Sequence, residues 1–527
     1  NKYDHLRMGK YGSDDYLMPY YVERINNADV VFENKDPQLQ IPTGYEQINL
    51  MQKIRWQPTG TFDVQYGFHY SETGNYSRYD RHTRTKNDAP RYARWDYGPQ
   101  IWNMNNLSIS HTNKTPFYNQ LTLRVAQQFF EESRIDRSLN DTLENNAIEK
   151  VDAYSVNADF VKKWSNINEL FYGVEYVSNH VESNAFTRDI FTNEKSGAGA
   201  RYPNSKWASY AIYASNSFQP AEMLTIQTGL RYNHFTIDSK FDTQHYNLAF
   251  SEAHVNNGAL TGNAGVTLRP NGHWIIKANL STGFRAPNVD DMGKMFDSED
   301  KSVTVPNPDL NAEYAYNADL GVAHVFADVL KIDVTGFYTI LNNALVRRDF
   351  ILNGQDSIVY NGEMSKVQAI QNAAKAKVYG IQVGMEMNLP AGFGLTSDFN
   401  FQKGEEELDT GEKSPSRHAA PWFGVTRLIY RAQNLQMQLY AQYSGEVKYS
   451  QLAMEEQGKP WLYALDSNGN PYAPAWYTLN FKAMYRVNSN FQITAGLENI
   501  TDRRYRPYSS GVTAAGRNFM ISVRATF

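Results

Sequence analysis

The chain of 527 residues contains no cysteine. Structural disulfides, thiolate metal sites and catalysis by a cysteine are therefore excluded. Long hydrophobic runs are missing as well, since no stretch approaches the roughly 18 consecutive apolar residues that a transmembrane helix needs. The sequence is therefore not that of an α-helical membrane protein.

Patterns typical of nucleic-acid binders and enzymes are also absent from the sequence. The formal net charge of -5 is spread along the chain without long basic runs, so nucleic acid is not an expected partner. The sequence carries no nucleophile elbow, phosphate loop or paired-carboxylate motif. We therefore expect no enzymatic activity.

Aromatic side chains are the residues that the chain has in excess, at 14% of the total. This excess is typical of the aromatic belts at the two lipid interfaces of a β-barrel, and equally of large binding surfaces. Composition alone leaves both interpretations open.

Alternating polarity is the main pattern in the sequence. In the last segment, Phe519, Ile521, Val523, Ala525 and Phe527 alternate with Met520, Ser522, Arg524 and Thr526. Successive side chains of a β-strand point to opposite faces of the sheet. An apolar face toward lipid and a polar face toward a lumen is the arrangement of a transmembrane β-barrel.

From about residue 45 onward, short and long connections alternate between such segments. The short turns lie at 59–60, 113–116, 165–168, near 220, and at 270–273, 327–329, 390–391, 433–434 and 488–490. The long polar loops lie at about 80–98, 137–148, 191–204, 243–257, 288–311, 351–366, 406–420, 451–474 and 509–516. This asymmetry is typical of outer-membrane barrels, whose periplasmic turns are short. The alternative, a soluble propeller, would repeat signature residues every 40 to about 50 residues, and no such repeat is found.

Nine turns and nine loops predict an all-β, antiparallel transmembrane barrel with about 19 strands over residues 45–527. Residues 1–44 are predicted to be the remnant of an external loop. An antiparallel barrel does not close on an odd number of strands, so we expect one, or more readily about three, further strands before Asn1. The first ten residues lack the apolar core of a signal peptide, so we expect a mature or truncated chain.

Five motifs resemble, in the same order, those of the TonB-dependent outer-membrane receptors. They are Gly229-Leu230-Arg231-Tyr232, Ser281-Thr282-Gly283-Phe284-Arg285-Ala286-Pro287, Asn307-Pro308-Asp309-Leu310 followed by Glu313, Val378-Tyr379-Gly380-Ile381, and Leu497-Glu498-Asn499-Ile500-Thr501-Asp502 followed by Arg503-Arg504-Tyr505. The chain also ends in an aromatic residue, Phe527, as the barrels of this family do. The resemblance covers nearly the whole chain from Tyr45.

The resemblance implies a barrel of about 22 strands filled by an N-terminal plug, in the outer membrane of a Gram-negative bacterium. The plug, expected to be absent from this chain, would make the contact with the TonB system. Other implied partners are outer-membrane lipid, a surface lipoprotein, and the barrel-assembly machinery, for which Phe527 would be the terminal signal.

The second and third motifs resemble those that bracket an external loop in haem receptors, where a histidine helps to bind iron. The loop here, 288–306, contains no histidine, which puts haem ligation through this loop in doubt. Met292 or Met295 could ligate iron, although packing is the commoner role of methionine. The ligand-binding candidates of these motifs are Arg285, Asn307 and Asp309. The alternative is that they shape the strand end and pair with charges of the barrel.

Two further groups of residues are candidate metal or ligand sites. His245 and His254 fall in one predicted loop, near enough in sequence to bind a metal or haem iron together, whereas solvated loop histidines are the alternative. Asp466, Asn468 and Asn470 imitate the opening of a calcium loop, but the later bidentate glutamate is missing and an Asn-Gly turn is the alternative. No cofactor is required by this interpretation, and calcium in the external loops is the one candidate.

The sequence therefore predicts an outer-membrane receptor for TonB-dependent active uptake of a scarce nutrient such as a metal chelate, haem or cobalamin. Such solutes exceed the limits of passive porins. The alternative is a passive channel, or a structural barrel within a larger outer-membrane assembly.

Overall fold

A computed structural model describes residues 1–248, 250–299, 301–360, 362–372, 375–407, 412–417 and 419–526. Phe527, the predicted assembly signal, lies outside the described residues. Within these ranges, the helices are all too short or too polar to cross a membrane.

Nineteen long strands form one antiparallel sheet in the described part of the chain. They are β1 (Tyr45–Trp56), β2 (Phe62–Thr73), β3 (Tyr92–Thr112), β4 (Gln120–Ser138), β5 (Leu143–Ser165), β6 (Asn168–Asp189), β7 (Asn204–Ala221), β8 (Leu224–Lys240), β9 (Glu252–Leu268), β10 (Trp274–Arg285), β11 (Glu313–Phe326), β12 (Leu330–Asn342), β13 (Ala376–Asn388), β14 (Phe393–Glu407), β15 (Phe423–Arg431), β16 (Leu435–Ser444), β17 (Trp476–Arg486), β18 (Phe491–Glu498) and β19 (Asn518–Ala525). Each strand pairs in register with the next one along the chain. The predicted all-β barrel architecture is confirmed, and the predicted strand number agrees with it.

The nine short turns all lie where the sequence predicted them, between the odd-numbered strand and the even-numbered strand that follows it. The turn at 327–329 has positive φ at Ala327 and Asp328, and that at 390–392 has positive φ at Ala391 and Gly392. Tight hairpins need such left-handed residues because their backbone must match the twist of the flanking strands. Turn chemistry is local, and the sequence therefore contained enough information to place these turns.

The outer face of the sheet is apolar and exposed. Leu230, Leu260, Leu280 and Leu320, on neighbouring strands β8 to β11, each expose 58% or more of their surface. Exposed aromatic residues, among them Trp56 and Trp164, lie beside the short turns. An apolar band with aromatic residues at its border is the lipid-facing surface of an outer-membrane barrel.

The external ends of several strands extend far beyond the lipid. β5 is 23 residues long and β6 is 22, whereas about 9–11 residues suffice to cross a bilayer. The predicted loops at 137–148 and 243–257 were therefore too long, because β4 and β5 leave only 139–142 between them and β9 already begins at Glu252. Above the membrane both faces of a strand carry polar residues, so the alternation that marks a strand in the sequence is lost.

The helices and short strands belong to the external part of the molecule, apart from one turn. The helices are α1 (Tyr79–His82), α2 (Val289–Gly293) and α3 (Met454–Gln457), with 3-10 turns at Asp14–Tyr16, Pro390–Gly392, Tyr449–Gln451 and Pro460–Leu462. The short strands are Lys2–Tyr3, Leu6–Arg7, Tyr20–Ile25, Ala28–Glu33, Leu39–Gln40, Tyr76–Ser77, Thr85–Lys86, Ala89–Pro90, Lys195–Ala198, Phe296–Glu299, Ser302–Val305, Leu345–Asp349, Ser357–Tyr360, Glu363–Asn372, Lys413–Pro415, Ala464–Leu465 and Pro471–Tyr472. Five of them, between 296 and 372, form a separate external sheet.

Residues 1–44 contribute no long strand, although Lys2–Tyr3 pairs with Tyr45 and Glu46 at the start of β1. The segment packs against the external loop 499–517. Gln40 is fully buried and exchanges two hydrogen bonds with the backbone of Thr513, at 2.8 and 3.0 Å. Arg504 donates to the carboxylate of Asp14 at 2.8 Å. The N-terminal segment is thus held at the external end of the molecule.

The first and last strands border the sheet. Both expose side chains on both faces over most of their length. Among the described residues, no register pair joins β19 to β1. Because β1 and β19 both run toward the side of the short turns, they are parallel to each other.

Candidate functional site

The external loops and the upper strand ends enclose a chamber of ≈ 1330 Å³. Its walls come from α1, from the upper ends of β3 to β6, from the external sheet and from the loop that carries α3. Small-molecule sites commonly measure about 300–1,000 Å³, so this chamber has room for a macrocyclic or multidentate chelate.

The chamber is positively charged. Eleven lysine and arginine side chains line it, against five carboxylates. One of these carboxylates, Glu455, forms ion pairs with three cations. Lys459, Arg417 and Arg347 lie 2.7, 2.6 and 3.4 Å from it. A concave surface with an excess of one charge concentrates ligands of the opposite sign. The chamber is therefore suited to an anion.

Part of this charge comes from α1, in the connection between β2 and β3. Arg78, Arg81 and Arg84 all line the chamber, together with Trp95 and Trp461. These residues are not apparent from the net charge or from long basic runs in the sequence. The spacing of three arginines at intervals of three residues beside a predicted strand end is the pattern that could have revealed them.

The Phe-Arg-Ala-Pro motif forms part of a buried packing unit at the top of β10. The ring of Phe284 stacks on Phe235 with centroids 6.2 Å apart, inside a hydrophobic cluster. Arg285 donates to both carboxylate oxygens of Asp291, at 2.6 and 2.7 Å, and lies 3.8 Å from Glu313. These contacts fix the entry of the chain into α2. A ligand-binding role of Arg285 stays a prediction.

The Asn-Pro-Asp-Leu motif joins the same unit. The Asn307 side chain, 6% exposed, donates to the carbonyl of Ile370 at 2.7 Å and accepts from the Asp309 N–H at 3.1 Å. Leu310 is buried in the cluster that contains Phe284. The motif thus ties the loop after β10 to the external sheet, and the roles proposed for Asn307 and Asp309 in ligand binding stay predictions.

The two histidine candidates have separate environments. His245 lines the chamber, and its Nδ1 lies 2.8 Å from the carboxylate of Asp242. His254 is not in a loop as predicted but in β9, where its Nδ1 lies 2.8 Å from Asp238 on the neighbouring strand. Of the five ligand-binding candidates, only His245 is among the described residues that line the chamber.

The two methionine candidates also have separate environments, and only one of them reaches the chamber. Met292 is fully buried in the cluster around Phe235, whereas Met295 is 6% exposed and reaches the chamber wall. Met295 belongs to a hydrophobic cluster against which Tyr246 and Tyr360 pack, and both tyrosines also line the chamber. One wall is therefore apolar and aromatic, and the wall with α1 is cationic.

The calcium candidate closes the hairpin between Ala464–Leu465 and Pro471–Tyr472. One oxygen of Asp466 accepts from the N–H groups of Asn468 and Asn470, at 2.8 and 2.9 Å. These hydrogen bonds lower the pKa of Asp466. Gly469 has a φ of 80°, as an Asn-Gly turn requires. Within the described ranges no group of three or more metal-ligating side chains is found, and calcium binding stays a prediction.

Fold and chamber together define a membrane-spanning β-barrel with an external binding chamber. The sequence profile of the family described as "TonB dependent receptor-like, beta-barrel" matches residues 36–500. The chain belongs to this family. It is accordingly an outer-membrane barrel of a Gram-negative bacterium, from a family of transport receptors and not of enzymes.

Relatives in the sequence comparison include proteins that obtain iron from host carriers. The chain is 26% identical over 325 residues to "Hemoglobin-haptoglobin utilization protein B" of Neisseria meningitidis, which covers 56% of this chain and 39% of that protein. It is 24% identical over 274 residues to "Transferrin-binding protein A" of Neisseria gonorrhoeae, covering 49% of this chain and 29% of the relative. The chain thus spans well under half the length of these relatives.

Solved structures with the same fold cover most of the chain. "Copper transporter OprC" superposes with a TM-score of 0.72 at 13% identity, covering 92% of this chain and 72% of that one. The hemophore receptor HasR of Serratia marcescens, solved with its hemophore HasA and heme, superposes with a TM-score of 0.67 at 14% identity, with the same coverage. At such low identity these structures show the fold alone.

Proposed function

We propose that the chain forms the transmembrane barrel of an outer-membrane receptor for TonB-dependent uptake of an anionic nutrient chelate, with haem as the leading candidate. The observation that carries this proposal is the cationic chamber at the external end of a TonB-dependent receptor barrel. An excess of cations would attract a negatively charged chelate from outside. The names of three relatives mention haemoglobin, and these names support haem.

The test of this function is growth on haemin as the only iron source. A strain that lacks the receptor gene is expected to stop growing, and the intact gene to restore growth. Inactivation of TonB or addition of a protonophore should abolish uptake in the complemented strain. Haemin uptake that continues without TonB would favour the alternative of a passive channel, and growth without the receptor gene would contradict the proposal.

The parallel direction of β1 and β19 supports a proposal about the rest of the barrel. An odd number of antiparallel strands must lie between two parallel border strands, because neighbours in such a barrel alternate in direction. Unpaired backbone groups in lipid are costly. We therefore propose that an odd number of further strands completes the sheet in the intact receptor, three of them if the total is about 22, as the family resemblance implies. We also propose that a plug in its lumen contacts TonB.

His245 is the candidate axial ligand for haem iron. Burial opposes ionisation of Asp242, but hydrogen bonds from His245 and from backbone N–H groups outweigh it and lower the pKa of Asp242. A carboxylate on Nδ1 leaves Nε2 for a metal, which is the arrangement found around most ligating histidines. Among the described residues, Nε2 of His245 has no hydrogen-bond partner.

Variants of this pair give a spectroscopic prediction. With the intact receptor and haemin, His245→Ala is expected to remove the Soret shift of histidine-ligated haem. Asp242→Asn should weaken haemin binding about tenfold, the usual cost of losing such a supporting carboxylate. The matched control is His254→Ala, since His254 has a similar carboxylate partner but lies outside the chamber. Unchanged haemin spectra in His245→Ala would show that this histidine is not a ligand.

We also propose two further partners. The solved HasR structure holds a hemophore, and a carrier protein or a surface lipoprotein of similar role is a candidate partner of this chain. Calcium bound near Asp466 is a candidate for ordering the loop that carries α3.

A further inference from the structure

The α1 region places three guanidinium groups on one wall of the chamber with a single carboxylate between them. Nε of Arg78 lies 3.0 Å from the carboxylate of Asp80, and Nε of Arg81 lies 4.0 Å from it. Arg84 makes no ion pair with any described residue. Three cations therefore share one negative charge.

Arg84 is held in place by an aromatic ring. It is 7% exposed, and its guanidinium carbon lies 4.7 Å from the ring centroid of Trp461. In a cation–π contact the flat face of the guanidinium group lies against the ring. The N–H groups at the edge of the guanidinium then remain able to donate to an acceptor that lies in the guanidinium plane. Within the described residues these N–H groups have no acceptor, although both side chains line the chamber.

Arg81 also has a side-chain N–H donor without an acceptor. Its guanidinium carbon lies 5.6 Å from the ring centroid of Trp95, and its buried Nε has no hydrogen-bond partner among the described residues. Burial, followed by repulsion from Arg78 and Arg84, lowers the pKa of Arg81. A buried cation whose carboxylate partner is 4.0 Å away and shared with Arg78 is poorly compensated. An anion bound here would satisfy the free donors and relieve the repulsion.

We propose that Arg81 and Arg84 form a binding site for a carboxylate group of the transported chelate. This inference rests on the proposed uptake function, and it restricts the ligand to carboxylate-bearing chelates. A planar guanidinium group forms two parallel hydrogen bonds with a planar carboxylate. A tetrahedral oxyanion or a neutral group forms this bidentate pair less well. The aromatic wall with Met295 and Tyr246 faces the same chamber and would receive the apolar part of the ligand.

A direct test uses citrate as a probe that carries carboxylates but no macrocycle. Isothermal titration of the intact receptor in detergent at low salt should show citrate binding. Arg81→Gln and Arg84→Gln are each expected to weaken it tenfold or more, as loss of a charge-assisted hydrogen bond does. The matched control is Arg427→Gln, because Arg427 pairs with Asp398 on the barrel wall outside the chamber. No binding of citrate, or equal binding by all variants, would overturn the site.

A second comparison separates carboxylates from other oxyanions and from the macrocycle. Arg84→Gln should weaken binding of haemin at least tenfold and leave haemin dimethyl ester, in which both carboxylates are blocked, within twofold. Inorganic phosphate that competes as well as citrate would overturn the carboxylate assignment. The receptor could bind citrate, with weaker binding in Arg81→Gln and Arg84→Gln, and yet not bind haemin. That result would support the carboxylate site and overturn haem as the nutrient. Unheated gel migration and circular dichroism establish that each variant is folded.

Discussion

Arg137→Met is expected to detach the N-terminal hairpin, residues 20–33, from the barrel. The Asp29 side chain, 1% exposed, accepts from both terminal nitrogens of Arg137 at 2.6 and 2.7 Å and from the Asn140 N–H at 2.8 Å. Without Arg137 the buried carboxylate keeps only Arg24, whose Nη1 lies 3.3 Å away. It loses two charge-assisted hydrogen bonds, each of which contributes about 1.5–3 kcal/mol. Hydrogen exchange followed by mass spectrometry should show loss of protection in residues 20–33.

The matched control for this variant is Arg7→Met. Arg7 also pairs with an aspartate, Asp36, but both side chains are about half exposed, so we expect a change below about 1 kcal/mol. Adding Asp29→Asn to Arg137→Met should recover part of the protection, because no buried charge then remains. Equal protection in Arg137→Met and Arg7→Met would contradict the importance of this pair.

The same pair predicts how docking of the hairpin depends on pH. Burial opposes the ionised form of Asp29, but hydrogen bonds from Arg137 and the Asn140 N–H outweigh it and lower the pKa of Asp29. A lowered pKa in the folded state stabilises the folded form above the unfolded value of about 3.9. This stabilisation should be lost as the pH falls below that value, so protection of the hairpin should be constant from pH 7 to about 5 and decline below about 4.

Glu456→Ala is expected to disorganise the wall of the chamber that carries α3. Glu456 is fully buried, lies 2.9 Å from Nε of Arg417 and 3.8 Å from Nζ of Lys459, and accepts from the hydroxyl groups of Tyr463 and Ser509. Burial and the hydrogen bond to this carboxylate raise the pKa of Tyr463. Without the carboxylate, several buried donors lose their acceptor, at a cost of about 3–5 kcal/mol.

The measurement is again hydrogen exchange, in residues 445–475. Glu446→Ala is the matched control, because Glu446 lies in the same loop but is exposed and has no ion pair with any described residue. We expect exchange in the loop to accelerate strongly in Glu456→Ala and to be unchanged in Glu446→Ala. A loop that stays as protected in Glu456→Ala as in the control would contradict a stabilising role of this cluster.

The turns and the membrane-spanning strands could be predicted because their determinants are local. Phe519, Ile521 and Val523, which the alternating pattern places on one face, are exposed on the outer face of β19. The turn at 433–434 is marked by a short polar sequence and joins β15 to β16 as expected. Lipid imposes one strict pattern on every strand that crosses it, so each hairpin could be recognised without the others.

The candidate site could be predicted only in part. His245 was recognised because a histidine in an external loop is a recognisable candidate for metal binding, and it lines the chamber. His254 was placed in the same loop, but β9 continues beyond the membrane and pairs this residue with Asp238. For Arg285 and Asn307, the resemblance to motifs of the family indicated a site, whereas their observed partners lie within the packing unit itself.

By itself, the sequence determined a barrel, its hairpins and its family, since period two, turn residues and short motifs are properties of neighbouring residues. The tertiary structure alone decided the chamber, because its walls are brought together from loops that are hundreds of residues apart. Arg84 and Trp461 stack at 4.7 Å although 377 positions separate them along the chain. No pattern within a loop fixes such a contact, since the position of each loop depends on the curvature of the sheet beneath it.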